Sequence, residues 1–201
     1  MEKPTKKEML MDTTMRIVAQ GGLAAFSMRQ VTKEIGVSEA LIYRHYETKE
    51  NLLFQCFQDV DRQIADLFKD ETFPAIVTEK DLYEYIHGLW MRYFTFLVRN
   101  GYKTLYYFEY RDSFYYETVQ TDGKCGMSQT HTYFKSFADI FEAISKEHHI
   151  FDKVSPDILL IYILDVTGVF ATRIIRGNLA EDEQNFENIW QLIYSGLSGL
   201  L

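Results

Sequence analysis

The sequence predicts an all-α protein: a three-helix N-terminal head over residues 1–48 on a larger helical body over residues 49–201, about nine helices in total. Three observations carry this. Apolar residues recur at spacings of three and four through long stretches, no run alternates as a strand does, and the 201 residues include only three prolines. Helix-start signals, in which a hydroxyl residue precedes an acid or amide by three positions, recur at intervals that divide the chain into helix-sized pieces.

The first start signal is Thr5-Lys6-Lys7-Glu8, followed by Leu10, Thr14, Ile17 and Val18 at helical spacing and closed by Gly21-Gly22. Ser27-Met28-Arg29-Gln30 opens a second helix whose apolar face is Val31 and Ile35, and Gly36 supplies a left-handed turn. Ser38 is placed to cap a third helix in which Ile42 and Tyr46, four apart, point inward. Three short helices bury little area, so the head needs support from the body. Thr48 caps a fourth helix of about five turns, carrying Leu53, Phe57, Val60, Ile64, Leu67 and Phe68, long enough to leave the head. Glu71 to Thr78, with Pro74, reads as a connection, and Thr78-x-x-Asp81 starts a fifth helix ending at Asn100-Gly101. A shorter helix through Leu105 and Phe108 follows. Ser113 to Met127 reads as loop-rich, and Phe134 to Ile144 as another helix. Ser155-Pro156 starts a helix that runs to Gly177-Asn178, and Phe186 to Leu197 mark the last one.

The net charge of −8 is unevenly spread. Residues 1–50 hold eight Lys/Arg against seven acids, which leaves 13 bases and 22 acids in the rest. The head is therefore near neutral and the body acidic, so long-range attraction to nucleic acid is weak and any binding rests on where a few bases point. No apolar run reaches the roughly 18–20 residues of a membrane span. The start, MEKPTKKEM, lacks the apolar stretch of a signal peptide. Cys56 and Cys125 have no metal spacing and read as two buried free thiols. The expected location is the cytoplasm, with no cofactor.

Two short helices joined at a glycine, the second with an inward stripe and a slim outward face, form a helix-turn-helix: one helix braces, the other enters the major groove. On the second helix Glu39, Ala40, Leu41, Tyr43, Arg44 and His45 face outward. Leu41 and Ala40 suit thymine methyls, Glu39 a cytosine amine, and Arg44 guanine or phosphate. Tyr43, His45, Ser38 and Lys49 suit phosphate oxygens, and Ser27 and Arg29 at the start of the bracing helix join the same DNA-binding set.

The residues Gly36-Val37-Ser38, Ile42-Tyr43, His45-Tyr46 and Lys49-Glu50-Asn51-Leu52, with Gly22 and Phe26-Ser27 before them, resemble the head of the TetR (tetracycline repressor) family of bacterial regulators. The resemblance covers about residues 6–55. Thr32 and Ile35 stand where the family usually has alanines, and Ala40 where glycine is common, which implies a slightly altered helix crossing. The resemblance implies a homodimer formed through the last two helices, a palindromic double-stranded DNA operator, and release by a small organic ligand, most often as a repressor. Apolar stripes on those helices, with Gly168, Gly196 and Gly199, agree with close helix approach, although such a face also suits an intramolecular core.

Fourteen aromatics fall between Tyr83 and Tyr116. Read as a pocket, they suit an aromatic or cationic ligand, with Tyr85, Trp90, Tyr93, Tyr106 and Tyr110 as lining and Glu109 and Asp165 as counter-charges. Glu84 is a further acid within an apolar run. Read as core, the same aromatics pack inside and the acids face water. His131, His148 and His149 lack the spacing of metal ligands, and no phosphate loop or nucleophile elbow appears, so neither a metal site nor an enzyme is expected. The alternatives to a DNA-binding regulator are a helical small-molecule-binding or interaction protein without DNA binding and, less favoured by the residues, an enzyme.

Overall fold

The computed structural model describes residues 4–69, 78–116, 142 and 154–198. These contain eight α-helices and one 3₁₀ turn: α1 (Lys6–Gly21), the turn Leu23–Ala25, α2 (Met28–Ile35), α3 (Glu39–Tyr46), α4 (Lys49–Asp66), α5 (Glu79–Arg99), α6 (Gly101–Arg111), α7 (Pro156–Ile175) and α8 (Glu183–Ser198). Strands are absent among the described residues. The expected connection around Pro74, most of the loop-rich stretch to Met127, the helix from Phe134 to Ile144, Cys125, Gly199 and the three histidines at 131, 148 and 149 lie outside them. No helix among the described residues is long and apolar enough to cross a membrane.

The described chain forms two compact units, one of residues 4–63 with 102–116, the other of residues 64–69, 78–101, 142 and 154–198. In the first, α1 begins with the expected capping box: the Glu8 amide donates to the Thr5 hydroxyl at 3.2 Å and the Thr5 amide to the Glu8 carboxylate at 2.7 Å. Its buried side is Leu10, Thr13, Thr14, Met15 and Val18, with Ile17 only half-buried. Gly36 ends α2 in the left-handed conformation, φ 75° and ψ 36°, its amide donating to Thr32. Thr32, where a smaller residue was expected, is accommodated because its hydroxyl donates to the Arg29 carbonyl at 3.0 Å. Ile42 and Tyr46 of α3 are fully buried, as their four-residue spacing requires. Ser38 differs from expectation: it occupies the N-cap position of α3 but its hydroxyl makes no capping bond.

The chain passes from α3 to α4 through Glu47 (φ 63°), the one described non-glycine residue with positive φ. The Thr48 amide closes this tight turn on the Tyr46 carbonyl at 2.7 Å. Asn51 fastens it: its side-chain amide donates to the same carbonyl at 2.8 Å while its backbone amide donates to the Thr48 hydroxyl at 3.0 Å.

The first unit is larger than three helices because α6 supplies the apolar area they lack. Its buried side is Thr104, Tyr106, Tyr107 and Tyr110, whereas Leu105 and Phe108 are half-buried. The Tyr107 ring stacks on Phe57 of α4 at 4.9 Å, and the Tyr106 hydroxyl donates to the Leu53 carbonyl at 2.5 Å. Tyr102, Tyr106 and Tyr107 are tolerated here because their hydroxyls find acceptors on α1 and α4.

In the second unit α7 packs on α5 and α8. Ser155 caps α7 by accepting from the Ile158 amide, with Pro156 at the first position, as the sequence signals. Trp90 and Trp190 lie 5.3 Å apart at the centre. The Trp90 indole N–H donates to the Thr167 hydroxyl at 2.9 Å, and that hydroxyl donates to the Ile163 carbonyl at 2.5 Å. The Trp190 N–H is satisfied by the Tyr83 hydroxyl at 2.8 Å.

Candidate nucleic-acid interface

The outward face of α3 is built as its sequence pattern demands. With Ile42 and Tyr46 fixed inside, Glu39, Ala40, Arg44 and His45 are exposed, Tyr43 is 48% exposed, and Leu41 is half-buried rather than fully outward. Tyr46 is the anchor: its hydroxyl donates to the Lys7 carbonyl of α1 at 3.2 Å, and burial raises its pKa well above that of a free phenol. Arg16 braces the second helix from outside, at 3.0 Å from Glu34 and 3.1 Å from Asp12. At roughly four-tenths side-chain exposure these pairs contribute little stability, about 0–1 kcal/mol each.

Exposed Arg29 and Arg44 carry no ion pair among the described residues, so two guanidinium groups of the head face solvent. Ser38 is exposed, with a hydroxyl not used in capping. Ser27 is exposed too, but its amide and hydroxyl both donate to the Gln30 side chain, at 2.7 and 3.1 Å. Lys49 is placed differently from a free phosphate ligand. It is half-buried, its ammonium donates to the Phe26 carbonyl at 3.1 Å, and it lies over the rings of Phe26 (5.3 Å) and Tyr115 (5.8 Å). Eight of the ten expected residues are exposed on α2, α3 and their caps, Leu41 is half-buried, and Lys49 holds the loop before α2.

The residues expected to meet a small ligand divide between the units. Tyr106, Glu109 and Tyr110 belong to the first unit, and Tyr85, Trp90, Tyr93 and Asp165 to the second. Tyr106 and Tyr110 are core, fully buried around Phe57. Glu109 is exposed and accepts from the Leu23 amide at 3.3 Å. Glu84 is exposed and pairs with Lys80 at 3.5 Å. Trp90 and Tyr93 line a small apolar cavity with Ile86, Leu89, Ile163, Leu164, Trp190 and Leu197; its volume, about 20 Å³, is too small for an organic ligand. Asp165 sits on α7 at the spacing of Ile158, Ile161, Tyr162 and Val169, on the helix face turned away from that cavity. A wider groove of about 370 Å³ in the same unit is lined by Met91, Val98, Arg99, Phe186 and the acids Glu181, Glu183 and Glu187, none of which was expected to meet a ligand.

Asn51, which the sequence offers only as part of a motif, and Arg16 and Asp61 gain their roles from the fold. The Thr48-x-x-Asn51 spacing carries a signal for the first, while Arg16 and Asp61 depend on partners on other helices. No group of three or more potential metal ligands occurs among the described residues.

Residues 10–56 match the profile of the tetR family of bacterial regulatory proteins, and the head is a helix-turn-helix of that type. Over 48 residues the chain is 38% identical to the uncharacterized HTH-type transcriptional regulator YerO of Bacillus subtilis (strain 168), a match spanning 24% of this chain and 17% of that protein. The whole fold is similar to a TetR family transcription regulator from Marinobacter aquaeolei VT8, with TM-score 0.71, 19% identity and 94% of each chain covered. It is also similar to the fatty acid degradation regulator FadR from Bacillus halodurans, with TM-score 0.68, 14% identity and 96% of each chain covered. A TetR family protein from Shewanella sp. PV-4 aligns with TM-score 0.69 and 20% identity over 96% of this chain and 98% of that one.

Proposed function

We propose that this chain, with a tetR-family head on a body of matching fold, is a ligand-responsive transcriptional regulator that binds a palindromic operator as a homodimer, acting as a repressor. The observation that carries the reading is the outward face of α3: exposed Arg44, Tyr43 and His45, slim Ala40 and half-buried Leu41, on a helix whose opposite side is fully buried. Arg44 is assigned to guanine or phosphate, Leu41 and Ala40 to thymine methyls, and Tyr43, His45 and Ser38 to phosphate oxygens. Arg29 and Ser27 contact the backbone from α2.

Support for the dimer comes from α7. One side of this helix, with Leu159, Ile163, Leu164, Ala171 and Ile174, is buried within its unit. The other leaves Ile158 60%, Ile161 53% and Val169 57% exposed, beside Leu192 of α8 at 63%. A helix apolar on both sides needs a second partner, and a second copy of the same face supplies one. The ligand is assigned to the body, where the aromatic cluster around Trp90 and Trp190 suits aromatic or cationic molecules. The 20 Å³ cavity must open to admit one, which is how occupancy would alter conformation.

The test is selection of bound sequences from a random and a genomic DNA pool by the purified protein, in parallel with Arg44→Ala. A recovered palindrome lost with Arg44→Ala supports the proposal. Failure of the wild-type protein to enrich any sequence at low salt overturns it and favours an interaction protein whose head no longer reads DNA.

A further inference from the structure

We infer that Glu109 is a positioning residue for DNA binding: from α6 it holds the loop between α1 and α2, and so sets where α2 and its DNA-facing residues sit. This rests on the head binding DNA as proposed above. The loop, Gly22 to Ser27, is pinned inside by two apolar side chains, Leu23 at 5% and Phe26 at 3% exposure. Its backbone polarity is met at both ends by charges from later helices. The Leu23 amide donates to the Glu109 carboxylate at 3.3 Å, and the Phe26 carbonyl accepts from the Lys49 ammonium at 3.1 Å. Each charge has the sign its target requires, an anion on an N–H and a cation on a carbonyl.

Gly22 makes the approach of Glu109 possible. A Cβ at Gly22 would stand 3.3 Å from the Glu109 carboxylate oxygen, and Gly22 has φ 77°, which an L side chain resists. The loop leads directly into Ser27 and α2, so a shift at Leu23 moves Ser27 and Arg29 with it. Lys49 lies over the Tyr115 ring just beyond α6, so both holds on the loop involve the α6 end of the unit. Tyr106 and Tyr107 fix α6 to α4, which gives Glu109 a firm base.

The sign of the effect separates this role from plain electrostatics. Removing a carboxylate near a DNA-binding surface ordinarily tightens binding, because one repulsion with phosphate is lost. A positioning role predicts the opposite for Glu109→Ala, a loss of about 3- to 10-fold, since one hydrogen bond to an ionised acceptor is given up. Glu109→Gln keeps an acceptor oxygen and is expected to bind as tightly as wild type or tighter. The probe is the palindrome recovered by selection, with affinity measured across a salt series on variants confirmed folded by circular dichroism. The salt slope should stay at the wild-type value in Glu109→Ala, because no phosphate contact is removed. In parallel, amide exchange on free protein should show Leu23 protected in wild type and Glu109→Gln and exposed in Glu109→Ala. Equal or tighter binding by Glu109→Ala, or unchanged Leu23 exchange, overturns the inference while leaving the DNA-binding proposal standing. Absence of binding by wild type overturns both.

Discussion

Asp61 lies on α4 with 5% of its surface exposed, and its carboxylate accepts from the Tyr107 hydroxyl at 3.1 Å. Burial raises its pKa to about 7 from the ordinary 3.8, and the Tyr107 bond only partly opposes the shift. The folded chain therefore holds this proton more tightly than the unfolded chain. The associated stability is present at low pH and is lost as pH rises through about 7, a difference on the order of a few kcal/mol. Asp61→Asn cannot ionise, so the variant should gain stability over wild type as pH rises from about 5 to about 8, read as denaturant midpoints at each pH. A difference between the two proteins that stays constant with pH would contradict this account. Gly36 makes a simpler case. Its left-handed backbone is strained for any L residue, yet nothing lies within 4 Å of a Cβ there. Gly36→Ala should therefore cost about 1–2 kcal/mol from backbone alone, read as a lower urea midpoint with an unchanged m-value.

At the scale of elements, the second unit is joined through indole hydrogen bonds in an apolar setting. Trp90 is 3% exposed and its N–H depends on Thr167, which is itself fully buried on α7. Thr167→Val keeps the shape and removes the acceptor, leaving a buried donor unpaired at a cost of about 1–3 kcal/mol. Thr167→Ser should recover most of that loss; a stable Thr167→Val beside a destabilised Thr167→Ser would show that the methyl group, not the hydroxyl, matters. The first unit is joined differently, by tyrosine hydroxyls. Tyr102 of α6 donates to Asp12 of α1, and its pKa is pushed up to about 12, by burial first and by this bond second. Cys56, fully buried on α4, has its thiol pushed further from ionisation by burial, so it packs as a small apolar residue and is a poor nucleophile.

For the whole molecule, charge and assembly decide behaviour. The net charge of −8 lies mostly outside the near-neutral head, so DNA affinity should fall steeply when any one aimed base is removed. Arg44→Ala should weaken operator binding and reduce the slope of log affinity against log salt by about 1 if Arg44 meets a phosphate; an unchanged slope with relaxed sequence preference would assign it to a base instead. Leu192→Arg places a charge in the open apolar surface of α7 and α8. If the proposed dimer uses this surface, sedimentation should report a dimer for wild type and a monomer for the variant, with operator affinity lost alongside; a dimeric variant would remove this surface from the interface.

The sequence by itself determined the helices and the head. Thr5, Thr78 and Ser155 start helices where their spacing says, Gly22 and Gly36 end them, and Ile42 and Tyr46 turn inward because four residues return a helix to the same side. These signals act within a few residues, so one sequence suffices to read them. The tertiary structure alone decided the fate of side chains that pair across long separations. Glu109 meets Leu23 across 86 positions, Tyr107 meets Asp61 across 46, and Trp90 meets Thr167 across 77. An aromatic or an acid in an apolar run suits a pocket, a core or a brace equally well on periodicity. Which it becomes depends on the partner that folding brings opposite it, and no local pattern records that partner.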